Sequence, residues 1–167
     1  MGYSLGDGGW GVGRPAVRYS NRLPLQHNHG YLRIPLMSAL LVEDDPDRIK
    51  LFRRGFIGTS MSVLTRADLA ISWLKDHTPK LILLDYDLHE HGTPIKLSGT
   101  GRDVAKYMAG FAKRFERTLI IIHSLNEIGA GKIESTLTNH GLSASKHPRL
   151  WKEPENMDRL ASLIRES

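Results

Sequence analysis

The sequence predicts an α/β domain built on a doubly wound, five-stranded parallel sheet in three layers, α/β/α. Three observations carry this expectation. Strand-like and helix-like segments alternate five times after residue 37, the order that gives a parallel sheet covered on both faces. Leu81–Leu84 and Leu119–Ile122 are unbroken apolar runs, the pattern of central strands buried on both sides. Each predicted strand end then turns abruptly polar, and ligands of such sheets bind beyond the carboxyl ends of the strands.

Ala39–Val42 reads as the first buried strand. Pro46 suits the first turn of the helix that follows, where Ile49, Phe52 and Phe56 recur at helical spacing. Met61–Thr65 predicts a short second strand, followed by a helix carrying Leu69 and Leu74. Leu81–Leu84 ends in Asp85, and a polar loop runs from His89 to Gly99. Thr100 can cap the third helix with Asp103 in its first turn; Val104, Met108, Phe111 and Phe115 supply its apolar face. After Leu119–Ile122, Asn126 can cap the fourth helix, and Gly141 falls just past its end, where a left-handed residue is wanted. A weaker strand over Lys146–Trp151 and a helix from about Glu155, with Leu160, Leu163 and Ile164, complete the pattern.

The chain has 167 residues, 23 Lys+Arg against 18 Asp+Glu and a formal charge of +5, with a sequence pI near 9.6. That balance is uneven. Residues 1–36 hold Arg14, Arg18, Arg22 and Arg33 against Asp7 alone, so most of the excess lies outside the predicted domain, 37–167. The same stretch holds seven of the 16 glycines and no sustained apolar period, so a disordered basic leader is expected, with Met37 a candidate true start. Nucleic-acid binding through a basic surface is accordingly disfavoured. The absence of cysteine excludes disulfide scaffolds and thiolate zinc sites. No apolar run approaches the ~20 residues of a membrane span, and no charged-then-apolar leader opens the chain. A soluble, cytoplasmic protein is the expectation.

The chemistry should sit where the strands end. Strand 1 runs into Glu43-Asp44-Asp45, strand 3 into Asp85-Tyr86-Asp87 and strand 4 into His123-Ser124-Leu125-Asn126. Carboxylates converging on one edge repel unless a cation lies among them, and hard oxygen donors suit Mg²⁺, with Mn²⁺ as the alternative. Glu43, Asp44, Asp45 and Asp85 are the candidate ligands. Asp45 alone could equally cap the first helix. Asn126, Gly129 and Lys132, at the start of the fourth helix, are candidate phosphate contacts, because a helix N-terminus attracts anions. Gly129 and Gly131 lower helix propensity, which is tolerable where a phosphate or a neighbouring backbone must approach. His123 is either a core histidine or a general acid–base group, with Ser124, Asp85 and Asp87 completing the candidate catalytic set. His89 and His91 could serve a borderline metal, and Lys96, Arg102 and Lys132 a phosphate, although a solvated setting explains each.

Over 38–166 these residues resemble the receiver domain of bacterial response regulators, which implies a receiver-like (flavodoxin-like) fold. The resemblance rests on the acidic pair within Glu43-Asp44-Asp45, on Asp85 closing Leu-Ile-Leu-Leu, on Ser124 and on a Lys/Pro element near the fifth strand. It implies Mg²⁺ at the acidic cluster and phosphoryl acceptance at Asp85 from a histidine kinase. Receivers place a lysine immediately before a proline, whereas this sequence reads Lys152-Glu153-Pro154. The segments Val42–Arg48, Leu84–Leu88 and His123–Ala130 are similar, more narrowly, to the cyclic-phosphate-processing receiver variant. That likeness implies metal-dependent hydrolysis of a phosphoester, with a phosphate-bearing small molecule or nucleotide as partner. The alternatives are a stand-alone phosphoacceptor receiver and a degenerate receiver acting as a binding module.

Overall fold

The computed structural model describes residues 38–88 and 99–166. The leader 1–36, Met37 and the loop residues His89, His91 and Lys96 lie outside them. Five strands form one parallel sheet: β1 (Ser38–Val42), β2 (Ser60–Leu64), β3 (Leu81–Leu84), β4 (Leu119–Ile122) and β5 (Ala144–Lys146), in the order β2-β1-β3-β4-β5. The helices are α1 (Pro46–Gly55), α2 (Ala67–Asp76), α3 (Gly101–Gly110), the single turn α4 (Ala112–Phe115), α5 (Glu127–Thr138) and α6 (Pro154–Glu166). This is the expected doubly wound, three-layer architecture.

The strand parity explains the continuous apolar runs. Leu40, Val42, Ile82, Leu84, Ile120 and Ile122 point into one core beneath α2, α3 and α5. Ala39, Leu41, Leu81, Leu83 and Ile121 point into the other, with Phe52 and Phe56 from the α1 side and Met157, Ala161 and Ile164 from α6. Neither face can be polar, because both are covered. Burying a Leu or Ile side chain stabilises by roughly 1.5–3 kcal/mol, so these strands anchor the fold. In this strand order the connection direction reverses between β1 and β3, and the crevice at their carboxyl ends is where ligands of such sheets bind.

The expected caps are present. Asp45 accepts from the amides of Asp47 and Arg48, at 2.8 and 3.1 Å. Thr100 and Asp103 form a reciprocal capping box, Asn126 accepts from the Gly129 amide at 2.8 Å, and Gly141 has φ +79°. Three expectations need correction. The third helix does not run through Phe115: Gly110 ends it, and Phe111 falls at the break, 54% exposed. Leu69 and Leu163 likewise face outward, and Ala67, Ala70 and Leu74 bury the α2 face instead. The fifth strand lies earlier than Lys146–Trp151. It ends at Lys146, and its ladder continues only through the His147 amide to Ile122 O, at 2.8 Å. Pro148 has no amide to extend it, and Leu150–Lys152 form a 3₁₀ turn that buries Leu150 and Trp151.

After β3 the chain is pinned before it leaves. Asp87 and Thr100 form an isolated antiparallel bridge, and the Gly101 amide donates to Tyr86 O at 2.9 Å. A Cβ on Gly101 would collide with the backbone carbonyl of Asp85. Only glycine lets α3 start this close to the end of β3.

Candidate functional site

Glu43, Asp44 and Asp85 are brought together at the β1/β3 crevice, each offering a ligand atom within 4.8 Å of the others. β1 and β3 are adjacent and in register, Val42 opposite Leu84, so the residues following each emerge side by side. Glu43 is fully buried. Its Oε1 accepts from the amides of Asp44 and Asp45, both at 2.9 Å. Its Oε2 lies 3.2 Å from Arg48 Nη1 and 3.6 Å from His123 Nδ1, and makes no hydrogen bond. Burial first, and then the neighbouring Asp85 charge, push the Glu43 carboxyl up to about 8. Asp85, 1% exposed, accepts from the Tyr86 amide at 2.7 Å and from Arg48 Nη1 at 3.0 Å. Burial raises its pKa too, opposed by a hydrogen bond from Ser124 and by the Arg48 charge.

The remaining expected residues divide. Asp45 caps α1 and pairs with Arg48 Nε at 3.3 Å, outside the converging group. Asp87 accepts from Asn126 Nδ2 at 3.0 Å, which ties the end of β3 to the start of α5. The Gly129 amide is taken by the Asn126 cap, and the space above Gly129 is filled by the Tyr86 ring, so its missing side chain serves packing rather than phosphate approach. Lys132 and Arg102 are exposed. His123 is 0% exposed, with both ring nitrogens unpaired. Its ring packs on Phe52 and Trp151, at centroid distances of 4.8 and 5.9 Å. Burial holds its pKa down near 3, and Arg48 adds to the effect. It stands behind Glu43 as a neutral core histidine, not on the open edge.

Sequence reasoning missed Arg48. It touches Glu43, Asp45 and Asp85 at once and lies 5.0 Å from the centre of the Trp151 ring. The available signal was its place three residues after a capping aspartate, since helical side chains lean back toward the N-terminus. Lys152 lies exposed on the 3₁₀ turn. The residue immediately before a proline at the end of the fifth strand is instead the exposed His147, one step beyond the Ile122–Lys146 register pair. Beside it, a cavity of about 390 Å³ is lined by Ser124, Glu127, Ala130, Lys146 and Pro148.

A divalent cation fits this geometry. The donors are hard carboxylate oxygens, and Glu43 Oε2 is buried without a hydrogen bond. No described helix is long and apolar enough to cross a membrane.

Residues 39–139 match the family described as the cyclic-phosphate processing Receiver domain. No curated protein matches the sequence. Among solved structures, the phosphorylated cyanobacterial phytochrome response regulator RcpA is similar, with 17% identity, TM-score 0.56, and coverage of 77% of this chain and 94% of that one. A CheY-like response regulator receiver domain from Methanospirillum hungatei gives 13% identity and TM-score 0.54, covering 78% and 95%. The Mn²⁺-bound form of response regulator Rcp1 gives 19% identity and TM-score 0.53, covering 75% and 92%.

Proposed function

Because the chain belongs to the cyclic-phosphate processing Receiver domain family over 39–139, we propose that it hydrolyses a phosphoester, in particular a cyclic phosphate, with a divalent cation at the carboxyl edge of its sheet. The observation that carries this reading is the convergence of Glu43, Asp44 and Asp85 at the β1/β3 crevice. Those three residues would hold Mg²⁺ or Mn²⁺, which supplies Lewis-acid polarisation of a phosphoryl oxygen and lowers the pKa of water. Ser124, buried at the end of β4 and lining the cavity at β5, orients a phosphoryl oxygen there. The α5 N-terminus, fixed by Asn126, favours the anionic ligand. Lys132, one turn further along α5, adds positive charge on that side. His123 supports Glu43 from behind and does not touch the ligand. In the reaction, water adds to phosphorus, one ring P–O bond breaks and the leaving oxygen takes a proton, giving a phosphomonoester. The partner is thus a phosphate-bearing small molecule or nucleotide.

A second reading, phosphoryl acceptance by Asp85 from a histidine kinase, is favoured by the Ser124 and Arg48 contacts to that carboxylate. One experiment separates the two. The full chain is incubated with Mg²⁺ or Mn²⁺ and either a panel of cyclic phosphodiesters or a small phosphodonor, and followed by phosphorus NMR and intact mass. Ring-opened product that disappears with Asp85→Asn supports hydrolysis. A stoichiometric phosphoryl adduct on Asp85 without turnover refutes it in favour of the receiver reading.

A further inference from the structure

The side chain at the mouth of the carboxylate cluster belongs to Arg48. One atom, Nη1, lies 3.0 Å from Asp85 Oδ2 and 3.2 Å from Glu43 Oε2, while Nε reaches Asp45 Oδ2 at 3.3 Å. Two of the three carboxylates that converge as potential ligands are therefore already facing a cation supplied by the chain itself. The guanidinium is placed by local structure. Asp45 caps α1, Arg48 stands three residues into the helix and leans back over its N-terminus, and its Cζ rests 5.0 Å from the Trp151 ring centre. Its side chain is 21% exposed, so the group has a way out to solvent. The match is incomplete. Glu43 Oε2 is left without a hydrogen bond despite being buried.

A divalent cation would use the same oxygens at 2.0–2.6 Å, roughly 1 Å closer than Nη1 stands. A cation bridging those two oxygens would stand directly against Nη1, and two positive charges so close repel. We propose that Arg48 is a tethered counter-ion that competes with the divalent cation for Asp85 Oδ2 and Glu43 Oε2, so that metal loading expels the guanidinium from the cluster and Arg48 sets how much metal is needed. This rests on the metal site of the proposed function and adds to it the residue that tunes the site.

A merely structural ion pair and a competitor differ in sign. If Arg48 only braces the cluster, removing it loosens the ligands and weakens metal binding. If it competes, removing it tightens binding. The test is calorimetric titration of the full chain with Mn²⁺ alone, comparing wild type with Arg48→Met, which keeps an apolar stem beside Trp151, and with Arg48→Lys, which keeps the charge. We expect Arg48→Met to bind Mn²⁺ at least ~10-fold more tightly, about what a unit charge some 5 Å from a divalent ion costs even with the screening of bulk water. Arg48→Lys should stay within a few-fold of wild type. Should Arg48→Met fold less stably without metal, the Mn²⁺-induced rise in its melting temperature must still exceed that of wild type. An affinity that is unchanged or weaker in Arg48→Met overturns the proposal while leaving the metal site standing. The absence of Mn²⁺ binding by any of the three overturns both. Tighter binding in Arg48→Met without turnover of any cyclic phosphate supports the competition and removes the hydrolytic reading.

Discussion

Gly129 and Gly131 lie two residues apart in α5, and the structure assigns them opposite responses to the same substitution. Alanine in a helix interior is worth about 0.8–1 kcal/mol over glycine, through backbone entropy alone. At Gly131 a Cβ meets nothing within 4 Å, so Gly131→Ala should realise that gain and raise the melting temperature by about 3 °C for a domain of this size. At Gly129 a Cβ would stand 2.8 Å from Tyr86 Cδ2 and closer still to Cγ and Cδ1. That is short of ordinary carbon–carbon contact by roughly 1 Å or more. The Tyr86 main chain is held by its amide on Asp85 Oδ1 at 2.7 Å, so relief must come from turning the ring out of its packing against the core. Overpacking of this kind costs about 1–3 kcal/mol, which cancels the helical gain and leaves Gly129→Ala neutral to about 2 kcal/mol less stable. Urea unfolding of the two variants, read by far-UV circular dichroism, should therefore separate them by roughly 1–3 kcal/mol, the cost of the clash. Equal stabilisation by both substitutions would refute the packing of Tyr86 against α5, and with it the explanation of why glycine stands there.

The remaining predictions concern protons and caps. His123, held near 3 instead of its ordinary 6.5, takes a proton in the unfolded chain that the folded one refuses, so stability falls as pH drops from 6.5 through 3. Glu43, held near 8 instead of 4.5, keeps a proton in the folded chain that the unfolded one has lost, so stability falls as pH rises from 4.5 through 8. Asp85, also raised, acts with the sign of Glu43. Denaturation of the metal-free chain should show Glu43 and His123 offsetting each other between about pH 4.5 and 6.5, with a loss of roughly 2 kcal/mol from pH 6.5 to 8. Mg²⁺ should abolish the alkaline loss; a metal-free chain that gains stability over that range contradicts the Glu43 assignment. Asn126→Ala removes both the cap on the Gly129 amide and the partner of Asp87. It should cost about 1–2 kcal/mol by chemical denaturation, and a variant as stable as wild type would show that the cap is dispensable.

Much of this was legible in the sequence because it is local. The apolar runs of β1, β3 and β4, the caps at Asp45, Thr100 and Asn126 and the glycine after α5 each depend on neighbours a few residues away. The acidic residues at two strand ends also became a cluster once the strand order put β1 beside β3. What escaped is long-range or depends on parity. Arg48 reaches Asp85 across 37 positions, a pairing that only the fold creates. His123 was readable in principle: it shares the parity of Ile121, so it must point into the core between the sheet, α1 and α6. The fifth strand was misplaced because Leu150 and Trp151 are apolar for another reason, the packing of a 3₁₀ turn on Phe52 and its neighbours.

The bridge between Asp87 and Thr100 joins the two ends of an excursion. The chain departs after Leu88 and is received again at Gly99, and the strand end that carries Asp85 is fastened by Tyr86 and Asp87 on one side of that departure and by Thr100 and Gly101 on the other. The described bonds that hold this strand end thus come from both flanks of positions 89–98, so α3 docks back onto the end of β3, and the placement of the Asp85 carboxylate depends on that docking.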